Sequence, residues 1–250
     1  MQKIFVVLGL LILFLSLARL GTTQGQADVT EIATPVVEGV LSKKQKEHSK
    51  LYSAYKYTTK LTELSRDSSG NKRPEVNISI LPALPELNTS TTIPGTDGLQ
   101  EVAANSDLVV IATPLSKTSQ LTEDASFVFT DYDLSVDEVL KNNTLVQPHS
   151  VITVTRPGGK ILLEGRVISA RDRSFKSLRA GGHYLLFLRY LPTTDSYQAV
   201  DNKSGFELVD NKVKALTEAA DQQRERGDTA SFLEKVKAAI ATAKREARVQ

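Results

Sequence analysis

Asp131, Asp133 and Asp137 share one parity in a stretch that alternates polar and apolar residues. On one face of a strand, alternate residues lie about 6.8 Å apart. That separation suits two carboxyl groups acting as acid and base on a glycosidic bond. A sugar hydrolase would also want aromatic platforms, yet the chain has no Trp and only 6% aromatic residues. A calcium loop is excluded because the Gly and the closing Glu it needs are missing. The three acids are therefore expected to form a solvated strand face that keeps an edge from pairing.

Other chemistries lack their residues. There is no Cys, which removes a thiol nucleophile, a thiolate zinc site, a disulfide framework and a lipoprotein anchor. His48, His149 and His183 have no metal-ligand spacing and are expected at the surface or in turns. No Gly-x-Ser-x-Gly elbow occurs. Gly158-Gly159-Lys160 runs on into Ile161, not into the Ser or Thr of a phosphate loop. No catalytic residue, cofactor or metal is assigned.

Charge is the one strong pattern left. Residues 101–141 hold eight acids against Lys117 and Lys141, while residues 150–190 hold eight bases against Glu164 and Asp172. Strands of opposite sign pair well across a sheet, so internal compensation is one reading. In the other, Arg156, Lys160 and Arg166 rim a hairpin that meets an acidic partner.

The chain of 250 residues must place these groups. Its first segment reads as an address. Lys3 precedes an uncharged apolar run, Ile4 to Ala18, and then a small polar stretch with a Gly25-x-Ala27 cleavage site. Fifteen residues of helix span only about 22 Å, short of a hydrocarbon core of about 30 Å. Residues 1–27 are expected to be a signal peptide; an uncleaved anchor is the alternative, and the only membrane contact foreseen. Without them the chain has equal numbers of acids and bases. That neutrality argues against nucleic acid and anionic lipid as partners.

Residues 28–98 are expected to be a helical arm and a Pro-rich linker. Leu41 to Ser65 reads as helix, with Ser42 and Gln45 placed for a capping box. Its thin apolar stripe means it must dock on something else. Val76 to Leu81 could add one edge strand before Pro82.

Residues 99–210 read as strands: Asp107–Thr113, Phe127–Val139, Val151–Thr155, Tyr184–Tyr190, Tyr197–Val200 and Phe206–Val209. A turn at Pro157-Gly158-Gly159 and a segment Ile161–Ile168 complete a hairpin in this reading. Residues 211–250 end in helix, with Phe232, Leu233, Val236, Ala239, Ile240 and Ala243 at helical spacing and Asp228 or Ser231 as cap. The expected fold is mainly β: an antiparallel OB-like barrel with an N-terminal helical arm and a C-terminal helix.

Several segments carry a resemblance. Ser106–Ala112, Phe129-Thr130-Asp131-Tyr132, Val136-x-x-Val139-Leu140-Lys141, Arg156-Pro157-Gly158-Gly159 and Gly182-x-Tyr184-Leu185-Leu186-Phe187-Leu188 follow in order. With His48-Ser49-Lys50-Leu51-Tyr52 upstream, they resemble uncharacterised exported bacterial proteins over most of residues 41–210. Residues 105–200 are similar to netrin-like domains, the OB-type barrels of the tissue inhibitors of metalloproteinases. Those inhibitors chelate the protease zinc through an N-terminal Cys, which this chain lacks. The resemblance implies a fold and a compartment, not an activity.

The expected protein is exported to the periplasm, cell envelope or medium as a non-catalytic binding module for an unidentified protein or envelope ligand. The alternatives are an envelope hydrolase using Asp131 or Asp133, and a membrane-anchored structural protein. Asn77, Asn88, Asn142 and Asn202 head glycosylation sequons that matter only in a glycosylating source. N-terminal sequencing of the exported protein should begin within residues 24–28, whereas intact Met1 on soluble cytoplasmic protein would refute export.

Overall fold

Alternation sets the architecture. The computed structural model describes residues 34–35, 41–52, 75–80, 96–172, 175–200, 204–217 and 227–247. Among these, eleven strands and three helices occur: β1 (Thr34–Pro35), α1 (Lys43–Leu51), β2 (Glu75–Ile80), α2 (Thr96–Ala104), β3 (Leu108–Leu121), β4 (Val128–Asn142), β5 (Val151–Pro157), β6 (Gly159–Leu163), β7 (Arg166–Asp172), β8 (His183–Leu191), β9 (Ser196–Ala199), β10 (Gly205–Val209), β11 (Lys212–Ala215) and α3 (Thr229–Glu246). The fold is mainly β, as the alternation predicts. The segment 1–27, most of the Pro-rich linker and residues 53–65 of the expected helix lie outside the described residues.

Seven strands form one sheet in the order β11-β10-β8-β3-β4-β5-β9. β9 then pairs a second time: parallel to β5 through Val154↔Tyr197, and antiparallel to β8 from Leu188↔Ala199 to Leu191↔Ser196. The ladder β3-β4-β5-β9-β8 thus returns to β3. One face of these strands carries Leu108, Val110 and Ala112, then Tyr132, Leu134 and Val136, then Ile152 and Val154, Tyr184, Leu186 and Leu188, and Tyr197. All are buried and alternate along their strands, as period-two patterning demands.

β8 is apolar on both faces because it packs on both. Leu185 and Phe187 point away from that first cluster, into a second with Val109, Phe206 and Val213, covered by α2 and α3. α3 places Phe232, Val236 and Ala239 there, so its stripe packs on the sheet. Its N-cap is Asp228, whose carboxylate accepts from the Ser231 backbone N–H; that bond holds the carboxyl below its usual range. At the other helix, Lys141 donates to the carbonyls of Ala103, Ala104 and Ser106 at the C-terminal end of α2. A cation there complements the helix dipole, and burial lowers the Lys141 pKa.

The second sheet has the order β1-β6-β7-β2, with both outer pairings parallel. One expectation is corrected. The hairpin is β6–β7, turned by Glu164 and Gly165 at φ 50° and 74°, the left-handed pair of a tight hairpin turn. Pro157-Gly158-Gly159 instead carries the chain from one sheet to the other. Gly159 sits at φ 140°, against the hydroxyls of Thr130 and Ser119, where a Cβ has no room. The sequence allows Pro114 either to end the Asp107–Thr113 strand or to sit at an edge; β3 continues past it through a register shift at Pro114/Ser116, so the edge is where it lies. β8 pairs with β3 only as far as Ala112, so the missing N–H of Pro114 costs no ladder bond on that side.

Leu186→Ala should destabilise the protein by about 2–5 kcal/mol in denaturant melts, because the site is closed on all sides. A loss under 1 kcal/mol would place Leu186 on the wrong face.

Candidate functional site

β4 has a second face. Opposite its core residues stand Phe129, Asp131, Asp133 and Ser135, and α1 lies over the first two. Ser42 starts α1 with the expected capping box: its hydroxyl accepts from Gln45 N–H, and the Gln45 side chain accepts from Ser42 N–H. Nine residues with a thin apolar stripe do not hold a helix in water, so docking must. At its C-terminal end, Tyr52 stacks on Phe129 and Phe127 with ring centroids 5.6 and 6.1 Å away. Ser49 Oγ accepts from the Glu123 backbone N–H at 2.7 Å.

His48 faces the polar part of the sheet. Its Nδ1 lies 2.9 and 3.0 Å from the two Asp131 oxygens, and its Nε2 lies 2.8 Å from Ser196 Oγ. A carboxylate only accepts, so Nδ1 carries a proton. In the neutral ring Nε2 then accepts from the Ser196 hydroxyl, which in turn accepts from Thr194 Oγ1 at 2.5 Å. His48 and Ser196 have no exposed surface, and the Asp131 side chain is 13% exposed. Beside them, Asp133 accepts from Ser116 at 2.8 Å and from Thr153 at 3.1 Å. Lys44 Nζ donates to Thr153 at 2.9 Å. Thr155 stands directly across from Asp131 on β5 and is fully buried, and its Oγ1 has no hydrogen-bond partner among the described residues.

Two expectations change here. His48 is not a surface histidine but a buried one. Asp131 is not a solvated acid guarding an edge, because β4 is paired on both sides and α1 covers the carboxylate. Asp137 is the exposed member of the three, accepting from Thr113 at 2.8 Å and lying 3.3 Å from His183 Nδ1. Nothing in the sequence marks Thr194 or Ser196, and His48 is weighed there only as a metal ligand. The only local signal was His48 and Tyr52 four residues apart, on one helix face.

The order Ser196–His48–Asp131 is that of a nucleophile, its base and the base's orienting acid. The surroundings do not suit the chemistry. The serine and the imidazole are closed to solvent, and the base rides on α1 itself. Moving α1 to admit a substrate would carry the base away.

Arg156, Lys160 and Arg166 do not form one surface. Arg156 is buried beside Phe175, its guanidinium 3.7 Å from the ring centroid. It donates to Asp172 at 3.1 Å and to the carbonyls of Phe175 and Lys176 at 2.7 and 3.1 Å. These bonds tie down the chain leaving β7. Arg166 is also buried and reaches Glu164, 2.6 Å away across the β6–β7 turn. Lys160 is half-buried on β6. Of the basic zone, Arg156 and Arg166 thus have their charge met within the chain, as does Arg179 by Glu207. Among the described residues no cluster of His and carboxylate groups is arranged to hold a metal ion. No described helix is long and apolar enough to cross a membrane.

A ranking of three variants checks the geometry. Arg156→Ala should cost about 3–5 kcal/mol, since it removes the buried guanidinium that Asp172 and the carbonyls of Phe175 and Lys176 share. Asp131→Asn should cost about 1–3 kcal/mol through the buried imidazole. Asp137→Asn should stay within about 0.5 kcal/mol. Chemical melts giving Asp137 the larger loss would contradict the assignment of faces. In sequence, the chain matches no family model and no curated protein.

Proposed function

We propose that this protein is an exported, non-catalytic binding module built on an OB-type barrel, whose ligand is a protein or another component of the cell envelope. The barrel reading is supported by pairing order. Numbering β3, β4, β5, β8 and β9 as first to fifth, the neighbours run first, second, third, fifth, fourth and back to first, with third and fifth parallel. That order supports an OB-type barrel, as does the resemblance of residues 105–200 to netrin-like domains. In this reading the β6–β7 hairpin and its sheet are an insertion between the third and fourth strands. Export is supported by Lys3, the apolar run and the small residues before Ala27.

The observation that carries the binding role is the outer face of β4, β5 and β9. It presents carboxylates and hydroxyls where a merely structural contact with a helix would be apolar. A second reading, a serine hydrolase, is favoured only by the Ser196–His48–Asp131 order. One pair of experiments separates the two. Immobilised residues 28–250 should retain a discrete species from envelope extract, and Asp133→Asn should reduce its yield. A fluorophosphonate probe should leave Ser196 unlabelled. Labelling at Ser196 that disappears in His48→Ala would replace the binding module by the hydrolase.

A further inference from the structure

We infer that the outer face of β4, β5 and β9 is a binding site for a short basic helix, and that α1 is its resident occupant, displaceable by a similar helix of a partner protein. The inference rests on the binding-module reading and names the class of partner.

The charges are complementary. From Lys43 to Lys50, α1 carries four lysines against Glu47. The surface beneath it carries Asp131 and Asp133, with Glu123 at the rim 3.9 Å from Lys46. The contacts of this segment combine one apolar anchor in the core with a polar seam. The aromatic anchor, Tyr52, is fully buried among Phe127, Phe129, Ile161 and Ile168, and the seam beside it includes side-chain hydrogen bonds of Lys44, His48 and Ser49 and an edge contact of His48 with Phe129. Anchors of this kind dominate helix-in-groove recognition. Such polar bonds exchange for bonds to water when the helix leaves, so release costs less than undoing an apolar seam of equal size.

The fit of α1 is also incomplete. Thr155 Oγ1, fully buried on this face, has no partner among the described residues. A ligand that reached it would gain a bond that α1 does not make. Meanwhile α1 depends on the face for its order, being too short to be helical alone. Tethered in the same chain, it competes at an effective concentration on the order of millimolar. An incoming helix must therefore outbid a local competitor, which restricts the site to partners that match it well.

The test uses the full chain and a fluorescein-labelled peptide of residues 41–52. In the variant Lys44→Ala/His48→Ala, the resident helix loses its polar contacts. Fluorescence anisotropy should show the peptide binding this variant about tenfold or more tightly than wild type. Adding Asp131→Asn to the variant, or replacing His48 by Ala in the peptide, should abolish that gain. Equal, weak binding to wild type and to a variant that melts cooperatively would overturn the inference. So would a Lys44→Ala/His48→Ala chain that fails to fold while Lys44→Ala alone folds but binds no peptide, since α1 would then be integral. A wild-type dimer that the peptide dissociates would make the occupant a second copy and overturn the assignment to a partner protein. Failure here with envelope capture intact would leave the binding module standing at another surface.

Discussion

Period-two alternation along β4 is the constraint from which the rest follows. A strand that gives Tyr132, Leu134 and Val136 to one side must give Asp131, Asp133 and Ser135 to the other. The apolar side is satisfied by the returning ladder of β3, β5, β8 and β9. The polar side is not solvated, because α1 lies on it, and a covered carboxylate needs a donor. His48 is that donor. Its other nitrogen then needs a partner, and Ser196 at the start of β9 supplies it. Thus a choice made by the register of one strand determines which helix residue is buried and which serine holds it.

The same logic separates the two kinds of charge in the chain. Arg156 stands opposite Thr130, on the inward side of β5, so its charge is buried and must be matched locally. Asp172 and two carbonyls match it, and Phe175 stacks on it. Its charge is met within the chain. The acids of β4 face outward and are answered by hydroxyls and imidazoles: Asp131 by His48, Asp133 by Ser116 and Thr153, Asp137 by Thr113. Hydroxyls leave the Asp133 carboxylate charge uncancelled, and that is what a basic helix can recognise.

Most of the core could be read from the chain. β4 and β8 announce themselves, one by strict alternation and one by an apolar run that only a strand packed on both faces tolerates. The Ser42 box and the α3 stripe are local patterns and were equally plain. α2 is hidden in the sequence, although Leu99, Val102 and Ala103 recur at helical spacing, because Gly98 and the Pro-rich stretch before it suggest loop. β11 has four residues, too few for a pattern. The hairpin was misplaced because Pro157-Gly158-Gly159 looks like a turn, while its glycines serve a close approach to Thr130 and Ser119. The site was beyond reach for a different reason. His48 lies 83 residues from Asp131 and 148 from Ser196, and only the fold brings them together.

Coupling between the helix and the face is measured most directly by a double-mutant cycle on His48→Ala and Asp131→Ala in denaturant unfolding. The account predicts an interaction energy of about 1–3 kcal/mol, because each residue's burial is justified by the other. Losses that add to within about 0.3 kcal/mol would show that the two residues act independently, and would contradict the picture of α1 held on a polar face by one imidazole.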